Sequence, residues 1–328
     1  MSAFDAVLLI AFGGPRGMNE IRPFLANVLR GRNVPPSRVE EVAHHYELFG
    51  GVSPITELTR RQAEGLTQRL AKAGTPLPVY LGMRNWHPFI DDTLREMSRA
   101  GVRRAIGFIM AAQASYSSCQ QYRENVREAR QRLRDGGEAD IEVTYVPGWF
   151  DAPGFIEANA DHVRQAKARL PEALRTAPRL IFTAHSIPLT MAERSQYREQ
   201  LLQSSRRVAE RVGINDWSLV YQSRSGRPQD PWLEPDVCDY LRQAKREGVA
   251  AAILCPIGFV CDHVEVLYDL DREAADVARE IDLPLVRAEA VNDDAKFVDM
   301  MAEIVTATVR RYASGRPLEI GHPLSPMP

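Results

Sequence analysis

Short apolar runs alternate with amphipathic helical stretches from one end of the chain to the other, and this alternation narrows the possible folds more than any other feature. The runs are Ala6–Ala11, Val79–Gly82, Ala105–Ala111, Ile141–Val146, Leu180–Ala184, Trp217–Tyr221 and Ala251–Val260. Runs this short, apolar on successive residues, suit strands buried on both faces, and the helical stretches between them supply the cover. The order predicts an α/β protein built on parallel sheets flanked by helices. The chain has 328 residues, 45% of them hydrophobic, which is enough for two domains of about 150 residues each.

The pattern also repeats. Leu8–Pro15 (LLIAFGGP) and Leu180–Pro188 (LIFTAHSIP) each run as a strand to an alanine, then three residues, then proline. Gly101–Ser115 (GVRRAIGFIMAAQAS) aligns with Gly248–Asp262 (GVAAAILCPIGFVCD), and between these blocks Val79-Tyr80 and Val220-Tyr221 each precede an arginine, Arg84 or Arg224. Three matches in one order point to duplication. The expected halves are 1–150 and 151–328, meeting near Trp149–Phe155 or in the polar stretch before Arg179, with the C-terminal helix able to pack back on the first half.

In doubly wound sheets ligands gather at the carboxyl ends of the strands, and two such halves are expected to face one cleft. The strand ends carry Phe12, Arg84 to His87, Gln113 to Tyr122, His185, Gln222 to Arg224, and His263 with Glu265. His185, directly after an apolar strand, can accept a proton near neutral pH or ligate a metal. Glu265, Asp269 and Glu273 follow at i, i+4 and i+8. On a helix these carboxylates stack along one face and repel unless a cation or a proton sits among them. A solvated helix face is the plainer reading of such a row; its start at the end of an apolar strand favours metal or proton traffic.

A net charge of -2 argues against a nucleic-acid partner. No run of 18 apolar residues is present, so a spanning helix is not expected. The N-terminal run reads as a first strand, without a basic leader or a small-residue cleavage site, and suggests a cytoplasmic protein. Cys119, Cys238, Cys255 and Cys261 show no CxxC spacing and read as free thiols. Phe12-Gly13-Gly14-Pro15 follows the first strand but lacks the glycine spacing of a nucleotide cradle. Gly50-Gly51, ahead of Ser53-Pro54, reads as a tight loop that lets a flat ligand approach the backbone. Arg30, Arg32 and Arg38 cluster in LRGRNVPPSR, either as solvated surface or as partners for carboxylates. Ser53 and Tyr122 are candidate hydroxyl donors to the same groups.

Taken together these residues resemble the ferrochelatases, enzymes that insert Fe(II) into a porphyrin in haem biosynthesis. The likeness spans nearly the whole chain and is carried by LLIAFGGP, YELFGGVSPI (Tyr46–Ile55), GMRNWHP (Gly82–Pro88), TAHSIP (Thr183–Pro188), VYQSR (Val220–Arg224), PWLEP (Pro231–Pro235) and GFVCDHVEVLYDLD (Gly258–Asp271). The arginine loop with Tyr122 looks like the branch of the family that uses coproporphyrin III, whose four propionates would explain additional arginines.

The resemblance implies two similar Rossmann-like domains, each with a four-stranded parallel sheet, in a monomeric lyase-type chelatase. His185 and Glu265 fall on the family's catalytic pair. Asp269 and Glu273 fall on its acidic row, so that His185, Glu265, Asp269 and Glu273 are the expected metal contacts. Phe12, Arg30, Arg32, His45, Ser53, Trp86 and Tyr122 are the expected porphyrin contacts. Phe12 departs from the tyrosine that some members place beside the porphyrin face. Gln113–Tyr122 is polar where a membrane-inserting lip would be apolar. No tightly bound cofactor and no iron–sulfur cluster are expected, since Ser314–Pro328 lacks cysteine. Porphyrin and Fe(II) are the expected partners, with transient contact to the enzyme that uses the product. Protoporphyrin IX in place of coproporphyrin III, a cobalt-inserting chelatase and a non-catalytic haem carrier are the alternatives.

Overall fold

The computed structural model describes residues 3–31, 34–225, 227 and 229–315. Eight strands form two parallel sheets: β1 (Ala6–Ala11), β2 (Val79–Met83), β3 (Arg104–Ile109) and β4 (Glu142–Tyr145), then β5 (Arg179–His185), β6 (Trp217–Gln222), β7 (Ala252–Cys255) and β8 (Leu285–Arg287). The strand orders are β2-β1-β3-β4 and β6-β5-β7-β8, one topology used twice. The central strands β1 and β7 are buried at every residue, as sheets covered on both faces require.

Two compact units result. One comprises residues up to Ala111, Ser117–Gly148 and the last helix from Val298; the other comprises Ala112–Tyr116 and Trp149–Phe297. In the first, Leu8, Ile10, Leu94, Met97, Ala105 and Val126 belong to a core between sheet and helices. In the second, Ile181, Val220, Leu241, Leu254, Val266 and Leu270 play the same part. Local devices repeat too. Met83 N–H donates to Pro88 O and Tyr221 N–H to Pro235 O, turning each chain from its second strand into helix Ile90–Arg99 or Val237–Arg246. Asp236 caps the latter, accepting from the backbone N–H groups of Cys238 and Asp239, a short polar side chain in the place that helix starts favour.

Three expectations change in detail. The run Ala251–Val260 is not one strand: β7 stops at Cys255, because Pro256 offers no N–H to a ladder and Ile257 N–H turns back to Cys255 O. β8, three residues long, lay below the length at which apolar patterning is readable. The acidic row does not ride one regular helix. Val264–Tyr268 is α-helical, Asp269–Ala274 is a π turn, and Ala275–Glu280 resumes the α form. A second π turn, Tyr116–Gln120, lies between β3 and helix Gln121–Asp135. Among the described residues no helix is long and apolar enough to cross a membrane.

Candidate functional site

In the second unit β5 and β7 are neighbours, with β6 beyond one and β8 beyond the other. The crevice at the carboxyl ends of β5 and β7 is therefore the point where the connections diverge, the place at which such sheets bind ligands. His185 is the last residue of β5, and the chain leaving β7 delivers His263 and Glu265. Gly258 makes this approach possible: its N–H donates to Thr183 O at 3.1 Å. A Cβ there would lie 2.6 Å from Ala184 Cβ.

The imidazole of His185 has Nδ1 2.5 Å from Ser186 O. A carbonyl only accepts, so Nδ1 carries the proton and Nε2 of the neutral ring keeps a lone pair, an assignment made from its partner. Tyr197 fixes the residue further by donating to His185 O. His263 has the opposite tautomer. It caps helix Val264–Tyr268, its Nδ1 accepting from Val266 N–H at 3.4 Å, which leaves the proton on Nε2. Burial holds its pKa below the ordinary value, with Glu265 and Asp262 opposing and His185 reinforcing the shift.

Glu265 Oε2 stands between the two rings, 3.9 Å from His185 Nε2 and 3.7 Å from His263 Nε2. Both separations exceed a hydrogen bond. One carboxylate oxygen thus faces a lone pair on one side and an N–H on the other, an arrangement suited to receiving a proton or a cation. Among the described residues no three acidic, histidine or cysteine side chains converge as a ready-made metal site.

One turn on, Asp269 Oδ2 accepts from Ser223 Oγ and, at 3.2 Å, from Gln222 Nε2. Ser223 has a positive φ of 59°. The Asp269 side chain keeps some exposed area, but dense packing surrounds its carboxyl. Burial pushes its pKa up to about 7, Glu265 and Glu273 add to the rise, and the bonds from Ser223 and Gln222 oppose it. Both glutamates therefore lie near enough to act on it. Glu273 is exposed, so the row leads from the histidine pair through a half-buried acid to solvent.

The porphyrin contacts expected in the first unit divide sharply. Phe12 follows β1 half-buried, its ring 6.3 Å from Phe24, which packs in turn against Tyr46 and Trp86. Trp86 is 7% exposed and its Nε1–H donates to Glu20 at 2.6 Å. Ser53 is buried beside Gly14, its N–H donating to Pro15 O. Arg30 is exposed and donates to Asn27, which donates to Asn85 O at the end of β2. His45 is half-buried on helix Pro36–Glu47. Arg32 lies outside the described residues. Tyr122 corrects the sequence reading: it is 5% exposed, and its ring packs in the core with Ile90 and Leu94 rather than offering a hydroxyl at the surface. Burial raises its pKa further above the ordinary phenol value.

Sequence reasoning placed His263 among the strand-end residues but gave it no role, although its place two residues before Glu265 at a helix start was a usable signal. The partners Gln222 and Ser223 stood among the strand-end residues without a role.

Fold and site together define a two-unit chelatase-type α/β protein. The solved structure of SirB from Bacillus subtilis with Fe3+ matches 96% of this chain and 99% of its own, with a TM-score of 0.58 at 8% identity, a likeness of fold. The family model for ferrochelatase matches residues 4–309, and the chain belongs to that family of metal-inserting lyases. It is 44% identical to the coproporphyrin III ferrochelatase of Mycobacteroides abscessus, over 99% of this chain and 93% of that protein. It is 46% identical to the ferrochelatase of Rhodopirellula baltica (92% and 85%) and 44% identical to the coproporphyrin III ferrochelatase of Streptomyces coelicolor (93% and 85%).

Proposed function

We propose that this enzyme inserts Fe(II) into coproporphyrin III, releasing two protons and forming the iron porphyrin that a later decarboxylating enzyme consumes. The observation that carries the chemistry is the Glu265 carboxylate set between a histidine lone pair and a histidine N–H. The choice of porphyrin is supported by the names of the relatives at 44 to 46% identity.

Fe(II) replaces two pyrrole protons, so a base must face the ring centre and an exit for charge must lie behind it. His185 Nε2 accepts the two pyrrole protons in turn, Glu265 balancing the imidazolium that forms each time, and the first passes to the acidic row before the second is taken. His263, kept neutral by burial, turns its Nε2–H towards Glu265 from 3.7 Å, a dipole that favours the ionised carboxylate. Asp269, poised near pH 7, takes a proton and releases it readily, and exposed Glu273 completes the row. The same oxygens suit Fe(II) held loosely on its way in. Propionates pair with Arg30, with Arg32 and with His45, while Phe12 and Trp86 face the macrocycle and Ser53 shapes the glycine loop beside it. The reading takes the enzyme as a cytoplasmic monomer that needs no tightly bound cofactor and hands its product on by transient contact.

Anaerobic turnover with Fe(II), followed by loss of the free-porphyrin spectrum, tests the substrate. Each added charge-assisted contact to a propionate contributes about 1.5–3 kcal/mol. Coproporphyrin III is therefore expected to exceed protoporphyrin IX by about tenfold or more in kcat/KM. Equal use, or preference for protoporphyrin IX, would refute the assignment of the substrate.

A further inference from the structure

We infer that Arg287 is a positioning residue that clamps both ends of the segment carrying His263, Glu265 and Asp269. This rests on the role given to those three side chains above.

Arg287 closes β8, whose ladder to β7 ties its backbone to the sheet. Its guanidinium grips Asp271 with two bonds, Nε to Oδ1 at 2.6 Å and Nη2 to Oδ2 at 2.8 Å. The remaining nitrogen, Nη1, donates to Asp262 Oδ1 at 2.8 Å and to Ala288 O at 3.2 Å. Asp262 immediately precedes His263, and Asp271 sits in the π turn two residues past Asp269. One cation therefore holds the entrance and the exit of the ten-residue stretch Asp262–Asp271.

The environment makes this a rigid tie. The Arg287 and Asp262 side chains are 13% and 11% exposed, so their charges depend on each other rather than on water. Asp262 is held from a second side as well, its Oδ2 accepting from Asn292 Nδ2 at 3.0 Å and its N–H donating to Asn292 Oδ1 at 2.8 Å. The three guanidinium nitrogens are used at once in a planar fork. A lysine ammonium offers a point charge and cannot span both carboxylates in that geometry.

What the clamp sets is the placement of Glu265 between the two imidazoles and the inward turn of Asp269 towards Ser223. Both are matters of a fraction of an ångström, and misplacement by about 1 Å can cost about a hundredfold in rate. Residues that touch the porphyrin are not part of the clamp, so its loss should separate iron handling from porphyrin binding.

The test uses full-length enzyme in anaerobic Fe(II) insertion. Asp271 is 39% exposed, so Asp271→Ala should fold, with a thermal midpoint close to that of the unaltered enzyme. It is expected to raise KM for Fe(II) and lower kcat, together about tenfold to a hundredfold in kcat/KM for iron, at unchanged KM for porphyrin. Asp271→Glu, which restores a carboxylate, should recover part of the loss, and Arg287→Lys should show the same split more strongly. Should Arg287→Lys fail to fold, the Asp271 pair decides alone. A folded Asp271→Ala with unaltered kcat and KM for Fe(II) would overturn the clamp, as would a loss spread equally over both substrates in proportion to unfolded protein. Absence of Fe(II) insertion by the unaltered enzyme would instead overturn the functional reading beneath it.

Discussion

At the scale of single residues, the site works by setting each titratable group in a different environment. His185 keeps a lone pair because its other nitrogen is committed to Ser186 O, and His263 stays neutral because it is buried. Asp269 holds its proton to about pH 7 for the same reason, helped by two neighbouring glutamates. This has a thermodynamic consequence. As pH rises from about 4 to about 7, the unfolded chain ionises this carboxyl while the folded protein retains the proton. The stability that Asp269 contributes is thus fully present below its unfolded pKa and lost as pH rises through its folded one. Asp269→Asn does not titrate. In denaturant midpoints measured from about pH 5 to about pH 8, the variant should gain on the unaltered enzyme up to about pH 7 and then run level. A variant that loses ground over that range would show that the carboxyl is not raised. His185, Glu265, Asp269 and Glu273 were all visible in the sequence, the first as a polar residue at a strand end and the others as a row of three carboxylates. The residues that hydrogen-bond Asp269, Ser223 and Gln222, come from the end of β6, and no local pattern announces such a pairing.

At the scale of elements, the carboxyl ends of β5 and β7 bring the site together, and glycine sets how closely they approach. A Cβ on Gly258 would collide with Ala184 Cβ and Cα at 2.6 and 2.8 Å, backbone included, one residue before His185. Gly258→Ala should destabilise the protein by about 1–3 kcal/mol, the usual range for overpacking, and lower kcat by displacing the end of β5. Chemical denaturation together with steady-state rates would check both, and an alanine variant of full stability and rate would contradict the packing argument. All the strands but β8 were legible from their apolar runs, β1 to the residue. Helix type was not. Carboxylates four apart fit an α-helix and a π turn alike, and only the hydrogen-bond ladder distinguishes Asp269–Ala274 from regular helix. Arg287 was equally silent, being 16 residues from Asp271 and 25 from Asp262 on a strand too short to read.

At the scale of the whole molecule, one sheet topology occurs twice, and the paired motifs LLIAFGGP and LIFTAHSIP mark the equivalent central strands β1 and β5. The repeat of topology was legible because similar apolar runs recur in strands that must stay buried. The assignment of Ala112–Tyr116 to the second unit and of the chain from Val298 to the first was harder to foresee. Gln113 donates to Ser204 and to Ile257 O, and Arg69 pairs with Asp299, contacts between residues far apart in sequence. The equivalent strand ends have diverged in chemistry, Phe12 after β1 and His185 at the end of β5, and the proposed placing of proton transfer in the second unit rests on that asymmetry. The most direct measurement is anaerobic Fe(II) insertion by His185→Ala, with coproporphyrin III binding followed separately by spectral titration. The expected result is retained porphyrin binding with kcat lowered by about a hundredfold or more; full turnover by the variant would contradict the assignment of the central base.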